Sequence, residues 1–252
     1  MELLIVSLAS LFAGFVDSIV GGGGLILVPA LFATFPAAHP ATLFGTNKGA
    51  SICGTGFATW QYSRQVSMRW VALWPAAVAG LLASFAGAWL VTVVSPDFLR
   101  KLLPFVLLLV LLYTLVKKNL GHTHAPIFTG RAEQFMAAGI GMVVGFYDGF
   151  FGPGTGSFLV FLFVRLLGYD FLRASAAAKL INTATNVAAL ALFIAKGHIW
   201  WHFVVPMALA NVAGSLLGTR LALKHGTGFV RGVFLLVVSV LILKTSYDAF
   251  LR

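Results

Sequence analysis

The sequence predicts an all-α polytopic membrane protein, a helical bundle of about eight transmembrane segments arranged as two repeats of four. Of its 252 residues 60% are hydrophobic and only 10% are charged, and the mean hydropathy is +0.96. No soluble domain of this length has enough interior to hide so much apolar surface. Uninterrupted apolar runs, such as residues 105–116, lack the alternation of a membrane β-barrel, so helices are the expected spanning elements.

Apolar stretches of roughly 20 residues, the length that crosses a bilayer core, account for nearly the whole chain. Eight segments are predicted, at about 3–35, 42–61, 70–94, 98–117, 134–167, 174–195, 200–223 and 229–250. Segments 1 and 5 are longer than one span needs and are interrupted by glycines, so we expect broken helices there. The longest loop, about 117–133, carries several basic residues and is expected to lie on the membrane surface.

The sequence repeats itself at a shift of 131 residues. The stretch GFVDSIVGGG falls on GFYDGFFGPG, which aligns Asp17 with Asp148, and the same shift aligns Lys48 with Lys179. The further matched pairs are Gly21 with Gly152, Gly23 with Gly154, Pro75 with Pro206, Ser84 with Ser215 and Gly87 with Gly218. One constant offset that aligns rare residues inside apolar segments predicts a duplicated chain, and such repeats usually frame a transport path.

The predicted organisation is a first transmembrane repeat at 1–118, a basic connecting loop at 119–131 and a second repeat at 132–252. Four crossings in each half would give both repeats the same orientation in the membrane. If segments 1 and 5 enter the membrane and return, an inverted repeat is equally compatible with the sequence. Basic residues are divided almost evenly between the two sides, so they do not set the orientation.

Two of the seven acidic residues, Asp17 and Asp148, each lie about fourteen residues into an apolar segment. A charge at the bilayer centre costs about 2.5 kcal/mol or more. These side chains therefore face a polar interior or become protonated. Each aspartate is expected to cap a half-helix or pair with a lysine, or to couple transport to protons or ions, and these roles are compatible.

Two lysines lie several residues inside the second segment of each half, beside amides and hydroxyls. A lysine near a helix end can extend its amino group to the membrane surface. Recurrence in both halves with polar neighbours favours a central cavity instead. The predicted binding residues of this group are Asn47, Lys48, Ser51, Lys179 and Asn182.

The glycine clusters beside the aspartates predict helix breaks within the membrane, because glycine permits positive φ and Pro153 removes a backbone donor. Unwound backbone at that depth must line water or protein. The half-helix that follows presents free N–H groups, which favour an anion. The predicted contacts are Gly21, Gly22, Gly23, Gly24, Gly154, Thr155, Gly156 and Ser157. Close helix packing is the interpretation for Gly80, Gly87, Gly214 and Gly218.

Several other functions are disfavoured by the same residues. The formal charge of +10 fits basic residues flanking membrane spans, so no nucleic-acid partner is expected. The glycine run lacks the GK[ST] of a nucleotide loop, and Cys53 is the only cysteine. The histidines at 39, 122, 124, 198, 202 and 225 lie near predicted segment ends, so we expect no metal and no cofactor. No nucleophile and base lie together at depth, and the chain is not expected to be an enzyme.

The motifs GFVDSIVGGGGLILVPAL at residues 14–31, GTNK at 45–48 and GFYDGFFGPGTGSF at 145–158 resemble the TauE/SafE sulfite exporter family over nearly the whole chain. The resemblance implies eight spans made by duplication. It also implies export of sulfite, a sulfonate such as sulfoacetate, or a related sulfur oxyanion across the cytoplasmic (inner) membrane, driven by a proton or ion gradient. The second copy departs from the first in having Ala178 where the first has Asn47.

Together these features give the hypothesis of a secondary transporter whose two broken segments meet inside the bilayer. The glycine amides, the lysines and their polar neighbours would coordinate the anion, and protonation of Asp17 or Asp148 would couple its movement to the gradient. A passive anion channel and a membrane subunit of a larger complex are the alternatives. The expected partners are a small anionic substrate and the lipid bilayer, and a homodimer stays open.

Overall fold

In the computed structural model, the described part of the chain comprises residues 1–95, 98 and 125–250, with side chains described through residue 233 and at 236. Most of the predicted segment 98–117 and of the basic loop lies outside these residues. Every regular element in the described part is an α-helix, which confirms the predicted fold class. The helices are α1 (Glu2–Val20), α2 (Gly24–Thr34), α3 (Pro40–Gln65), α4 (Trp70–Val93), α5 (Gly130–Phe150), α6 (Thr155–Leu167), α7 (Phe171–Ala195) and α8 (Trp201–Phe250).

The predicted segments and the helices do not correspond one to one. Segment 1 is divided into α1 and α2, and segment 5 into α5 and α6, which confirms the two expected breaks. The short helices α2 and α6 contain 11 and 13 residues, so at 1.5 Å per residue each spans only about 16 to 20 Å. Segments 7 and 8 form one helix, α8, with a kink at Gly226, whose φ is 69°.

Four helices have the length and apolar composition to cross a bilayer: Glu2–Val20, Trp70–Val93, Phe171–Ala195 and the Trp201–Val233 part of α8. Their outward faces carry exposed apolar side chains, among them Leu4, Trp74, Leu82 and Leu209. Helix α3 is also long, but it buries polar residues inside the bundle, which lowers its hydropathy. The bundle is therefore apolar outside and polar at its centre, as expected of a polytopic membrane protein.

Helices at matching positions of the two halves begin 131 residues apart: α2 and α6, α3 and α7, and α4 and α8. The two halves also interleave. Helix α1 packs along α8, where Gly14 lies against the backbone of Asn211, and α4 packs along α5, where Gly145 lies against the backbone of Gly80. These two contacts are equivalent under the same shift of 131 residues.

The matching helices α3 and α7 run antiparallel at the centre of the bundle. Near the start of α3, Gly45 touches Phe193 and His198 at the end of α7. Further along, the hydroxyls of Thr59 and Thr183 are 2.8 Å apart. Antiparallel equivalent helices are the geometry of an inverted repeat, because repeats in the same orientation would place them parallel.

Small residues allow the close helix contacts. A Cβ atom on Gly87 would clash with the backbone of Phe146 in α5, and one on Gly218 would clash with the backbone of Phe15 in α1. Gly214 likewise lies against the backbone of Leu11. Backbones this close require glycine in membrane helix packing, and the packing role expected for the remoter glycines is confirmed.

Candidate functional site

The two helix breaks are built from glycines in conformations that other residues rarely adopt. Between α1 and α2, Gly21 and Gly22 have φ of 78° and 91°. Between α5 and α6, Gly152 and Gly154 have φ of 88° and 86°. A side chain at these dihedrals would meet the backbone, so glycine is required for each break.

At the first break the chain turns back on itself. The Cβ position of Gly23 lies 2.6 Å from the carbonyl oxygen of Ala13 and 2.8 Å from Cβ of Asp17. In a continuous helix, residues 13 and 23 would be about 15 Å apart. Helix α2 therefore starts beside the middle of α1, and the N–H groups of its first turn open toward the interior of the bundle.

The two breaks contact each other. Gly21 and Gly156 lie backbone to backbone, and the Cβ position of Gly24 is 3.2 Å from Cα of Pro153. The hydroxyl of Ser157 is 3.5 Å from the carbonyl oxygen of Val20. The N-terminal ends of α2 and α6 are thus brought to one place, where their dipoles give a positive field.

Asp17 caps the half-helix that follows it and also pairs with a lysine. Its Oδ1 accepts the amide of Gly23 at 3.2 Å, and its Oδ2 lies 2.9 Å from Nζ of Lys179. The Lys179 side chain is completely buried. Both structural roles considered for Asp17 from the sequence, a cap and an ion pair, are therefore present.

Asp148 pairs with the other lysine. Its Oδ1 lies 2.6 Å from Nζ of Lys48, and both side chains are at least 95% buried. Among the described residues, neither Oδ2 of Asp148 nor the amide oxygen of Asn47 has a hydrogen-bond partner. Buried acceptors without a donor are costly, and such groups often mark a functional position.

Each lysine takes its carboxylate from the opposite half of the chain. Lys48 of the first half pairs with Asp148, and Lys179 of the second half pairs with Asp17. The repeat exchanges one pair for the other. Removing one member of a buried pair leaves an uncompensated charge, at a cost of about 3–5 kcal/mol. The two pairs therefore join the halves at the level of the helix breaks.

A small polar cavity lies between the breaks and the central helices α3 and α7. The space open to the centres of water-sized spheres is about 20 Å³, and one water needs roughly 10–15 Å³ on the same measure. Its lining residues are Ala13, Asp17, Gly22, Gly23, Gly24, Asn47, Lys48, Ser51, Thr55, Asp148, Gly152, Thr155, Gly156, Asn182, Asn186 and Asn211. In this conformation the cavity accommodates about one water.

Most of the residues predicted from the sequence line this cavity, including both aspartates, Lys48 and Asn182. Four predicted residues do not: Gly21, Gly154, Ser157 and Lys179. Gly21 packs on Gly156, and Gly154 is the left-handed residue before α6. Lys179 contacts Asp17, which lies between it and the cavity.

Three lining residues were missed by the sequence analysis. Thr55 and Asn186 are related by the shift of 131 residues, and Nδ2 of Asn186 lies 3.5 Å from Oγ1 of Thr55. Extending the repeat two turns beyond the lysines would have found them. Asn211 donates to the carbonyl oxygen of Ser10 at 3.0 Å. It is an amide in an apolar segment, so the criterion applied to the aspartates would have identified it.

The described residues contain no group of three or more histidine, cysteine or acidic side chains that could hold a metal ion. His39 and His198 stack with ring centroids 5.0 Å apart, and Thr42 contacts Nδ1 of His198 at 3.2 Å. The histidines at 122 and 124 lie outside the described residues. The chemistry available in the cavity is thus that of ammonium, carboxylate, amide and hydroxyl groups.

The sequence model of the family described as "Sulfite exporter TauE/SafE" matches residues 6–245 of this chain. "Probable membrane transporter protein ORF9" of Sinorhizobium sp is 36% identical over 242 residues, which cover 95% of this chain and 90% of that protein. "Probable membrane transporter protein YfcA" of Escherichia coli K12 is 37% identical over 243 residues, covering 95% and 88%.

A "Probable membrane transporter protein" of Haemophilus influenzae is 34% identical over 240 residues, which cover 94% of this chain and 91% of that protein. No solved structure matches the chain at a significant level. Family and relatives alike are membrane transporters over essentially their full length.

Proposed function

Because this chain belongs to the TauE/SafE sulfite exporter family, we propose that it is a secondary transporter that moves a sulfur oxyanion. The substrate would be sulfite or a small organosulfonate such as sulfoacetate. The membrane would be the cytoplasmic membrane, and the direction would be export, coupled to a proton or ion gradient. The family and its relatives support transport across a membrane, and the arguments below concern the substrate class and the site.

The observation that carries this proposal is the ammonium group of Lys48 in a polar cavity, with the first turns of α2 and α6 directed toward it. An oxyanion there would replace the carboxylate of Asp148 on the lysine. It would also receive hydrogen bonds from free backbone amides of the half-helices. The amide of Asn182 and the hydroxyls of Ser51 and Thr155 supply further donors.

The size of the cavity favours a carrier over an open channel. A channel needs a continuous path, whereas this cavity has room for about one water and is crossed by the ion pair of Lys48. Admitting an anion requires the ion pair to part and the helix ends to separate. An inverted repeat supplies a natural way to do so alternately toward each side, since equivalent movements of the two halves open opposite faces.

Transport by the purified chain in proteoliposomes tests the proposal. Sulfite, sulfate, thiosulfate and methanesulfonate would be supplied one at a time, with and without a pH gradient. We expect uptake of sulfite or the sulfonate above that of empty vesicles, and accumulation against a concentration gradient when the pH gradient is present. Accumulation distinguishes a carrier from a passive channel, and activity of the purified chain excludes a requirement for other subunits.

The matched variant removes both charges of one ion pair, Lys48→Gln with Asp148→Asn. Because no unpaired buried charge remains, the protein should fold. Loss of transport in this folded double variant supports the anion site. Wild-type transport by it, or failure of every anion in the panel to move, would overturn the proposal.

A further inference from the structure

The two ion pairs occupy equivalent positions in the repeat, but their hydrogen bonding differs. Asp17 uses both carboxylate oxygens: Oδ1 accepts from the Gly23 amide and Oδ2 from Lys179. Asp148 uses only Oδ1, which contacts Lys48, and Oδ2 is buried without a partner among the described residues. Donors to both oxygens stabilise the ionised form of a carboxyl. The structure therefore makes the two aspartates chemically unequal.

The lysines differ in the same sense. Lys179 is completely buried and is separated from the cavity by Asp17. Lys48 lines the cavity beside Asn47, whose amide oxygen also has no partner among the described residues. An anion entering the cavity meets Lys48 directly, whereas reaching Lys179 requires removing the cap of α2.

The charged and titratable groups around Asp148 are few. Lys48 faces it from α3, and Asp17 faces it across the cavity from α1. Tyr147 is its neighbour on α5, and its hydroxyl donates to the carbonyl oxygen of Pro153. Lys48 is thus the single cation that neutralises Asp148 among the described residues. If an oxyanion takes that cation, the carboxylate is left buried without compensation.

We propose that Asp148, and not Asp17, takes up a proton when the oxyanion displaces it from Lys48, while Asp17 and Lys179 stay paired and hold the break of α1. This inference rests on the proposed function and refines it. In the step, the contact between Lys48 and Asp148 parts and the ammonium contacts the anion. One proton from water forms an O–H bond with Oδ2 of Asp148.

The charge of the site is the same before and after this step. Initially the ammonium and the carboxylate cancel, and afterwards the ammonium and a monovalent anion cancel beside a neutral carboxyl. Each monovalent anion is therefore accompanied by one proton, and the movement carries no net charge. Under this coupling, export proceeds when the outward gradient of the anion exceeds the inward gradient of protons.

Methanesulfonate is the probe of choice, because it stays monovalent and carries no proton of its own. Purified protein in vesicles loaded with a pH-sensitive dye should acidify the lumen as methanesulfonate enters, with one proton for each anion. Initial uptake should fall by up to about tenfold per pH unit on raising the pH. If only sulfite is transported, the same measurement applies after subtracting the protons that sulfite itself binds.

Asp148→Asn is the decisive variant and Asp17→Asn is its matched control. In Asp148→Asn, anion exchange should persist, while proton movement and pH dependence are lost. In Asp17→Asn, whose overall rate should fall because the cap is gone, the remaining uptake should keep the wild-type pH dependence and proton count. The reverse assignment, or equal effects of both variants, would overturn the inference.

Infrared difference spectra give a second readout that does not require transport. Adding methanesulfonate to wild-type protein in detergent should produce the carbonyl band of a protonated carboxyl, and the band should be missing in Asp148→Asn. If that variant does not fold, the exchanged pair Lys48→Asp with Asp148→Lys replaces it. That exchange should abolish the band, whereas Asp17→Lys with Lys179→Asp should retain it.

The two proposals fail in distinguishable ways. If no sulfur oxyanion is bound or moved, the proposed function is wrong. If an anion is moved without protons and without a new carboxyl band, the function stands and the role assigned to Asp148 is wrong.

Discussion

Gly21 and Gly156 lie backbone against backbone, so the break after α1 is in contact with the first turn of α6 from the other half of the chain. Gly21 combines this contact with a φ of 78°. Gly156 makes the same contact from within a helix, where its own conformation is ordinary. The pair separates two reasons for requiring glycine, conformation and space, and so allows each to be measured.

Gly21→Ala should be the most destabilising alanine substitution at the breaks. We expect about 1–2 kcal/mol from the left-handed backbone and about 1–3 kcal/mol from overpacking against Gly156. Gly156→Ala should show only the second cost, because its φ is helical. Thermal unfolding in detergent, followed by loss of monodisperse protein, measures the difference.

Two further glycines complete that comparison. Gly197 has a φ of 72° and open space around its Cβ position, so Gly197→Ala should show the conformational cost alone. Gly139 lies in α5 with open space and no positive φ, and Gly139→Ala should be neutral or slightly stabilising. Equal thermal stability of all four variants would contradict the interpretation of the breaks.

Ser84 and Ser215 should contribute equally to stability. The hydroxyl of Ser84 donates to the carbonyl oxygen of Thr185 at 2.9 Å, and that of Ser215 donates to the carbonyl oxygen of Gly54 at 2.7 Å. Both bonds are buried, and each crosses between halves. Ser84→Ala and Ser215→Ala should each cost about 1 kcal/mol, and the double variant about the sum. Exposed Ser63→Ala is the control, and a single dominant serine would argue against equivalence.

Glu133 holds three connections together on one face of the bundle. It is 2% exposed, accepts the hydroxyl of Tyr169 at 2.7 Å, and pairs with Arg69 at 2.8 Å. Because Arg69 is partly exposed, Glu133→Ala should cost less than a fully buried pair, about 1–3 kcal/mol. Glu2→Gln changes an exposed carboxyl of the first turn of α1 and should leave the unfolding temperature unchanged.

Tyr169 should make stability depend on alkaline pH. Burial, followed by the hydrogen bond to Glu133 and its charge, raises the pKa of the Tyr169 hydroxyl above its usual value near 10. A raised folded-state pKa means that the native state keeps the proton longer, so this contribution is complete below pH 10 and is lost as pH rises above it. The unfolding temperature of Tyr169→Phe should therefore fall less steeply between pH 9.5 and 11 (about, from the usual tyrosine value) than that of wild type. Parallel curves would contradict the assignment.

His198 should make stability depend on mildly acidic pH. Partial burial, then the neighbouring His39 and Lys196, lower the pKa of His198 below its usual 6.5. A lowered folded-state pKa means that the unfolded chain binds the proton first, so stability is complete above 6.5 and decreases as pH falls below that value. His198→Gln should flatten this decrease, while His225→Gln, which lies away from the stacked pair, should leave it in place.

The breaks and the intramembrane aspartates could be predicted because both violate the composition around them. Glycine runs and carboxylates are rare in apolar helices, so Asp17 and Asp148 stand out in the sequence without any knowledge of contacts. The repeat also located the helix starts, since Pro40 and Phe171 begin matching helices. What these residues share is that their role depends on local chemistry.

The partners of these residues could not be predicted in the same way. A repeat establishes that Lys48 and Lys179 are equivalent, but it does not say which carboxylate each one meets. That pairing depends on the antiparallel crossing of α3 and α7, which places each lysine beside the break of the other half. The difference between Asp17 and Asp148 is finer still, because it arises from one backbone amide, that of Gly23.

The exchange of partners between halves also imposes an order on biosynthesis. Asp17 is separated from Lys179 by 162 residues, and a ribosome adding roughly 5–20 residues per second needs about 8–30 s to cover that distance. During this interval the first helices are already emerging while the lysine that neutralises Asp17 does not yet exist. The nascent chain must keep this carboxylate hydrated or protonated until the second half arrives, so insertion and folding of the two halves cannot be independent events.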